Sequence, residues 1–178
     1  MKNITEHIKA RRSVRTFDSK ELDAETKEKL LAFMKDIPNP YNIPVSFKML
    51  SAKEHGLTCP VVSGTDLYVG GKIQCAPNAC VAFGYSFETL VLYAQSLGIG
   101  SVWLGGTMNC SAFEQTMELA PDEMMPCASP LGFPAKKMSL RESMMRKAIK
   151  ANDRLPFEKL FFDGSLLSQT QQRFLPRG

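Results

Sequence analysis

The sequence predicts a layered domain of α+β or α/β type, a sheet with helices on its faces. Two observations carry that expectation. Stretches of strand character alternate along the chain with stretches of helical periodicity, the pattern of a sheet that helices cover. The chain also has 178 residues, 44% hydrophobic and 22% charged, which suits one ordinary globular domain with a buried core.

Taken in order, Ser19 to Asp36 is expected to be a helix. Asp23 can cap it, and Leu30, Leu31 and Met34 recur at helical spacing behind Glu25, Lys27, Glu28 and Lys29. The prolines at 38, 40 and 44 must end it, because they remove donors and fix the backbone. Val45 to Ser51 alternates Val45, Phe47 and Met49 with Ser46, Lys48 and Leu50, the signature of a half-buried strand. Residues 52–78 are broken by Gly56, Pro60, Gly64, Gly70, Gly71 and Pro77 and suggest loops with at most a short element.

The apolar run Ala79 to Tyr85 suits a strand buried on both faces. Ser86 to Leu97 follows as a helix, with Ser86 as N-cap, Gly98 past its end, and apolar residues around most of its circumference. Ser101 to Leu104 is the next expected strand. Ser111 to Glu114 has capping-box form and opens a helix that stops before Pro121. Pro126 to Phe133 is expected as a strand, and Ser139 to Glu142 repeats the capping-box form ahead of a basic helix reaching Ala151. The domain is expected to occupy residues 1–164, with 165–178 a polar tail that lacks amphipathic periodicity.

Bulk properties exclude several classes. A formal charge of +4 is too small to indicate a nucleic-acid partner and fits an anionic ligand equally well. Residues 1–10 offer no apolar segment for secretion, and no apolar run approaches the ~20 residues of a membrane span. Five cysteines with no CxxC pair and no histidine at ligand spacing are read as reduced, buried thiols rather than a metal site, which implies a cytoplasmic protein.

The candidate binding residues fall in three places. Arg11, Arg12 and Arg15, with Ser13 between them, could meet one phosphate from several directions, or could form a solvated basic face. Gly98, Gly100, Gly105 and Gly106 bracket Ser101 to Leu104. They would let backbone approach a flat ligand, or simply cap a helix and form a turn. Lys136 and Lys137 either complete an anion site or belong to ordinary surface. Trp103 is either core or a wall of the ligand site. No carboxylate pair or nucleophile-base arrangement stands out, and neither His7 nor His55 is singled out, so no catalytic residue is nominated. Any difficult chemistry must come from a cofactor.

Four segments in order carry a resemblance. They are Arg11-Arg12-Ser13-Val14-Arg15-Thr16-Phe17, then Gly84 to Ala94, then Leu97 to Thr107, and Pro130-Leu131-Gly132-Phe133-Pro134-Ala135-Lys136-Lys137. Together they resemble the nitroreductase family, and most nearly a subgroup in which Phe161-Phe162-Asp163-Gly164 is followed by a second half-domain. The resemblance implies an α+β fold with a mixed sheet wrapped by helices, a homodimer, and FMN at the subunit interface. It also implies an oxidoreductase that passes electrons from NAD(P)H to nitroaromatics, quinones or similar small acceptors.

Carried over by position, Arg11, Arg12, Ser13 and Arg15 correspond to the FMN-binding motif. Leu104, Gly105 and Gly106 correspond to the stretch beside the flavin, Lys136 or Lys137 to a basic phosphate contact, and the helix from Ser86 to the dimer interface. Many nitroreductases carry a flavin-lining Pro-Ser-x-x-Asn-x-Gln-Pro-Trp stretch where this chain has Pro38 to Pro44. The subgroup supplies that stretch from its second half, which this chain is expected to lack, so part of the cofactor or substrate wall is expected to be missing. A flavin-binding or small-ligand-binding module with little turnover is the alternative, and a nucleic-acid module using the same basic residues the remote one.

Overall fold

The computed structural model of the chain describes residues 4–160. The expected tail at 165–178 lies outside them. Two compact units result, the first ending at Glu142 and the second beginning at Ser143.

A four-stranded antiparallel sheet organises the first unit, and its central strand is one that the sequence reading did not place. Strand β1 (Val45–Ser51) pairs with β2 (Leu67–Gln74), from Val45 opposite Ile73 to Ser51 opposite Leu67. The other edge of β2 carries β3 (Glu123–Met124) and β4 (Ala128–Leu131). Between these two, Met125, Pro126 and Cys127 stand opposite only Gly71 and Lys72. The extra residue makes a bulge, where a proline's missing N–H does least harm. Among the described residues, parallel pairing enters only through single bridges, Ser13 with Ser101 and Thr16 with Ser63.

Both faces of the sheet are covered, with side chains alternating along β2 as strand geometry requires. Val69 and Ile73 join the core beneath helix α4, with Leu30, Phe83, Phe87, Leu90 and Val91. Tyr68 joins a second core with Leu50, Leu104, Phe113 and Met117. Backbone approaches the two cores closely at Gly70 and Gly71. A Cβ on Gly70 would lie 2.6 Å from Met117 Sδ, and one on Gly71 would lie 2.8 Å from the Phe83 ring. The glycines that suggested a loop are therefore what lets a central strand fit.

Helix α1 (Ile4–Ala10) precedes the arginine segment, and α2 (Ala24–Met34) begins as expected at Asp23, whose carboxylate accepts from the Thr26 amide at 2.7 Å. That bond holds the Asp23 carboxyl below its usual pKa. Phe33 of α2 stacks on Tyr93 of α4, centroids 3.9 Å apart. A single turn, α3 (Ala52–His55), leads away from β1 and closes at Gly56.

The expected strand at Ala79 to Tyr85 is instead the first part of one continuous helix, α4 (Ala79–Ser96). A short apolar run covered on all sides has the same composition in either conformation, so periodicity does not separate them. The true N-cap is Asn78, at φ 66°, and Ser86 is fully buried within the helix. Asn39 of the proline-rich loop donates to the Ser86 hydroxyl at 3.2 Å and to the Ile43 carbonyl at 2.8 Å, so the Ser86 side chain anchors that loop. Gly98, at φ 76°, follows the helix end as expected.

Helix α5 (Cys110–Met117) is capped by Asn109, which accepts from the Ala112 amide, rather than by Ser111. Ser101 to Leu104 forms single bridges instead of a strand. Helix α6 (Leu140–Ala148) starts with Ser139 accepting from the Glu142 amide at 3.1 Å. All but its opening residues belong to the second unit, with a short 3-10 turn at Phe157–Lys159. Among the described residues no helix is long and apolar enough to cross a membrane. Of the five cysteines, none disulfide-bonded, only Cys59 and Cys127 are buried; Cys75 and Cys80 are exposed, against the expectation.

Candidate functional site

Three segments far apart in sequence are joined by backbone hydrogen bonds into one patch of the first unit. The Val14 amide donates to the Ser101 carbonyl at 2.9 Å, fixing the arginine segment beside Ser101 to Leu104. The Gly100 amide donates to the Gly132 carbonyl at 2.8 Å. The Asp18 amide reaches the Phe133 carbonyl at 3.0 Å, and the Ala135 amide reaches the Thr16 carbonyl at 3.0 Å. Gly100 and Gly132 make these approaches possible: a Cβ on Gly100 would meet Val14 and Pro134 at 3.0 Å, and one on Gly132 the Phe17 ring at 2.9 Å.

The side chains of the arginine segment differ in setting. Val14 and Phe17 are buried and pin it to the core, while Arg12 is exposed and Ser13 and Arg15 are half-buried. Arg11 Nε pairs with Glu88 Oε1 at 3.0 Å. Arg11 Nη1 and Arg15 Nε are sealed from solvent, and neither has a hydrogen-bond acceptor among the described residues. A simple solvated face does not describe these two arginines. Burying a charged donor without an acceptor is unfavourable by more than a neutral hydrogen bond returns, so both nitrogens suit a bound anion.

Leu104 is buried and tied to Ala128 in both directions, its amide at 2.8 Å and its carbonyl at 3.0 Å. Gly105 and Gly106 leave this fixed point into the open, with no atom closer than 3.6 Å to where a Cβ on Gly105 would stand and none within 4 Å for Gly106. Lys136 and Lys137 are exposed and directly follow Ala135, whose amide is bonded to Thr16. The backbone thus gathers Arg11, Arg12, Ser13, Arg15, Leu104, Gly105, Gly106, Lys136 and Lys137 onto connected strips. Of these side chains, Arg11 and Arg15 each present a buried nitrogen that no described residue satisfies.

Sequence reasoning missed two groups here. The Thr16 hydroxyl donates to Glu142 Oε2 at 2.7 Å and accepts from the Ser139 amide at 3.1 Å. Glu142 is only 2% exposed, and its Oε1 has no partner among the described residues. The capping-box spelling of Ser139 to Glu142 was the available signal, but the glutamate turns to Thr16 instead of closing the box. The other missed group is Glu88, the single charged residue of α4. Its isolation in an otherwise uncharged helix was the signal. Trp103 is 37% exposed, not core, with its indole N–H donating to Glu88 Oε2 at 2.9 Å and its ring edge-on to Phe87.

A separate open cleft of about 680 Å³ lies beside Lys20, Lys27, Lys53, Glu54 and Asp66. Its mixed charges favour no one ligand sign, and none of the arginine segment lines it.

Comparison with known proteins identifies the fold. Residues 3–164 match the family described as "Putative TM nitroreductase", and the residues after 164 lie beyond the match. No curated protein matches the chain. Among solved structures, a nitroreductase family protein from Clostridium difficile 630 superimposes with a TM-score of 0.66 at 16% identity, over 94% of this chain and 99% of that one. A nitroreductase with bound FMN from Bacteroides fragilis NCTC 9343 gives 0.60 at 21% identity, over 79% and 92%. A nitroreductase family protein from Clostridium novyi NT gives 0.62 at 16%, over 75% and 86%. At these identities the superpositions show the fold, and the family match spans most of the sequence: the chain belongs to this nitroreductase family.

Proposed function

We propose that the chain is an FMN-dependent oxidoreductase that moves electrons from NAD(P)H to nitroaromatics, quinones or similar small acceptors. The observation that carries the proposal is the pair of buried, acceptor-free nitrogens, Arg11 Nη1 and Arg15 Nε, within the family's arginine segment. An FMN phosphate is a suitable acceptor for both, and the Bacteroides fragilis relative is a nitroreductase that binds FMN. FMN, when bound, supplies the electron-carrying chemistry between nicotinamide and acceptor.

The chain's own residues bind and orient. Arg11 and Arg15, with Arg12 and Ser13, would hold the anionic end, each charge-assisted hydrogen bond contributing about 1.5–3 kcal/mol. Lys136 and Lys137 add positive potential at the end of the strip joined to Thr16. Leu104 sets the line of the backbone, while Gly105 and Gly106 leave room for a flat ring beside it. Guanidinium groups near a flavin ring stabilise the negative charge that develops on reduction.

The protein acts in this reading as a homodimer with α4 at the interface. Val81 and Tyr85, one turn apart on α4, are both about half exposed, 52% and 53%. Unpaired exposed thiols at Cys75 and Cys80 suit the reducing cytoplasm.

The purified protein is expected to be yellow or to turn yellow on adding FMN, and to oxidise NAD(P)H when a quinone or nitroaromatic is supplied. R11Q and R15Q should each weaken FMN binding about 10- to 100-fold. A colourless protein that takes up no added FMN would overturn the proposal, and FMN binding with no turnover over a panel of acceptors would reduce it to a binding module.

A further inference from the structure

We propose that Glu88 is a positioning residue of the arginine site, a single carboxylate that holds Arg11 and Trp103 in one fixed arrangement. The inference rests on the flavin reading and adds to it a residue that acts through others.

Both oxygens of Glu88 are engaged, and by different partners. Oε1 takes Arg11 Nε at 3.0 Å and Oε2 takes the Trp103 indole N–H at 2.9 Å. No other charged residue lies on α4. A guanidinium is planar, so anchoring Nε fixes the plane and the directions of both terminal nitrogens. Here the anchored group leaves Nη1 buried and without an acceptor, the state of a donor prepared for an anion and not of a surface ion pair.

The second oxygen extends the same control to the flavin-side strip. Trp103 precedes Leu104, Gly105 and Gly106, and its ring meets Phe87 edge-on at 4.8 Å and Phe83 at 6.5 Å. Phe87 neighbours Glu88 on α4, so one short piece of helix holds the indole through both its ring and its N–H. Helix α1 lies against α4 and delivers Arg11 there, the Arg11 amide still bonded to the His7 carbonyl at 2.8 Å. Glu88 therefore sits where the arginine segment and the Leu104 strip are referred to the same rigid element.

The experiment compares E88Q, R11Q and the double variant R11Q/E88Q by FMN titration, together with acrylamide quenching of ligand-free wild type and E88A, which removes both acceptor oxygens. Trp103 is the only tryptophan, so its fluorescence reports one site. E88Q is expected to weaken FMN about tenfold, and the double variant to bind within about threefold of R11Q alone, because Glu88 acts through Arg11. Quenching of Trp103 should rise about twofold in E88A as the indole loses its acceptor. Wild-type FMN affinity in E88Q, or an E88Q effect that persists in full on the R11Q background, overturns the proposal.

Should E88Q fail to fold, Glu88→Asp, which keeps the charge but retracts it by a methylene, carries the same comparison. A wild-type protein that binds no FMN defeats the flavin reading on its own. The ligand-free quenching then decides on Glu88, and an unchanged quenching constant overturns its positioning role.

Discussion

Cys127 and Tyr68 are acids that the fold keeps neutral. Cys127 is 4% exposed, and burial pushes its thiol from an ordinary 9.0 up to about 12. Tyr68, also 4% exposed, is pushed from 10.0 up to about 12, chiefly by burial and then by Cys59 and Asp66 nearby. A raised folded pKa stabilises the native state fully below the unfolded value and is lost as pH rises toward the folded one. Thermal stability is therefore expected to hold to about pH 8.5 and to fall by several degrees between about pH 9 and 11. Cys127→Ala should shallow that decline, and a Tm that stays level to pH 11 would contradict the linkage. The expectation that all five thiols are buried failed because residue chemistry sets a preference, while placement sets the outcome. Cys75 directly follows β2 and Cys80 lies in the first turn of α4, and both are exposed.

At the scale of elements, sequence signals succeeded where a local cap or alternation decided the conformation. Asp23 starts α2, Ser139 starts α6, and Val45 to Ser51 is a strand, as patterning implied. They failed where packing overrode local preference. Gly70 and Gly71 resembled loop residues, yet they sit in the most buried part of β2 because two cores press on the strand there. Gly71→Ala should demonstrate the point. The added methyl would sit 2.8 Å from Phe83 and 2.9 Å from Phe47, both rings held in the packing about α4, so rings or strand must move. A loss of about 1–3 kcal/mol in unfolding free energy is expected, read as a lower denaturant midpoint at unchanged slope. In an open loop the same change would be neutral or slightly stabilising, since alanine restricts the unfolded chain.

For the whole molecule, each segment of the site was visible separately in the sequence, but the joins were not. Val14 to Ser101, Gly100 to Gly132 and Ala135 to Thr16 are main-chain bonds, which leave no mark on residue choice beyond the glycines that permit them. Glu88 and Glu142 escaped for a related reason: each carboxylate serves a partner distant in sequence. The proposed homodimer is the remaining assembly question, and α4 tests it. Val81 and Tyr85 are about half exposed in the single chain, so in a monomer Val81→Glu with Tyr85→Glu should change stability by about 0.5 kcal/mol or less per site. In a dimer closed over α4 the same charges would be buried unpaired and strongly destabilising to association. Light scattering at micromolar concentration is therefore expected to give wild type about twice the chain mass of 19.8 kDa and the double variant a single chain mass. If FMN sits between subunits, the variant should also lose its yellow colour while keeping its far-ultraviolet circular dichroism. A wild-type protein that is already monomeric, or a variant that stays dimeric and yellow, would remove α4 from the interface.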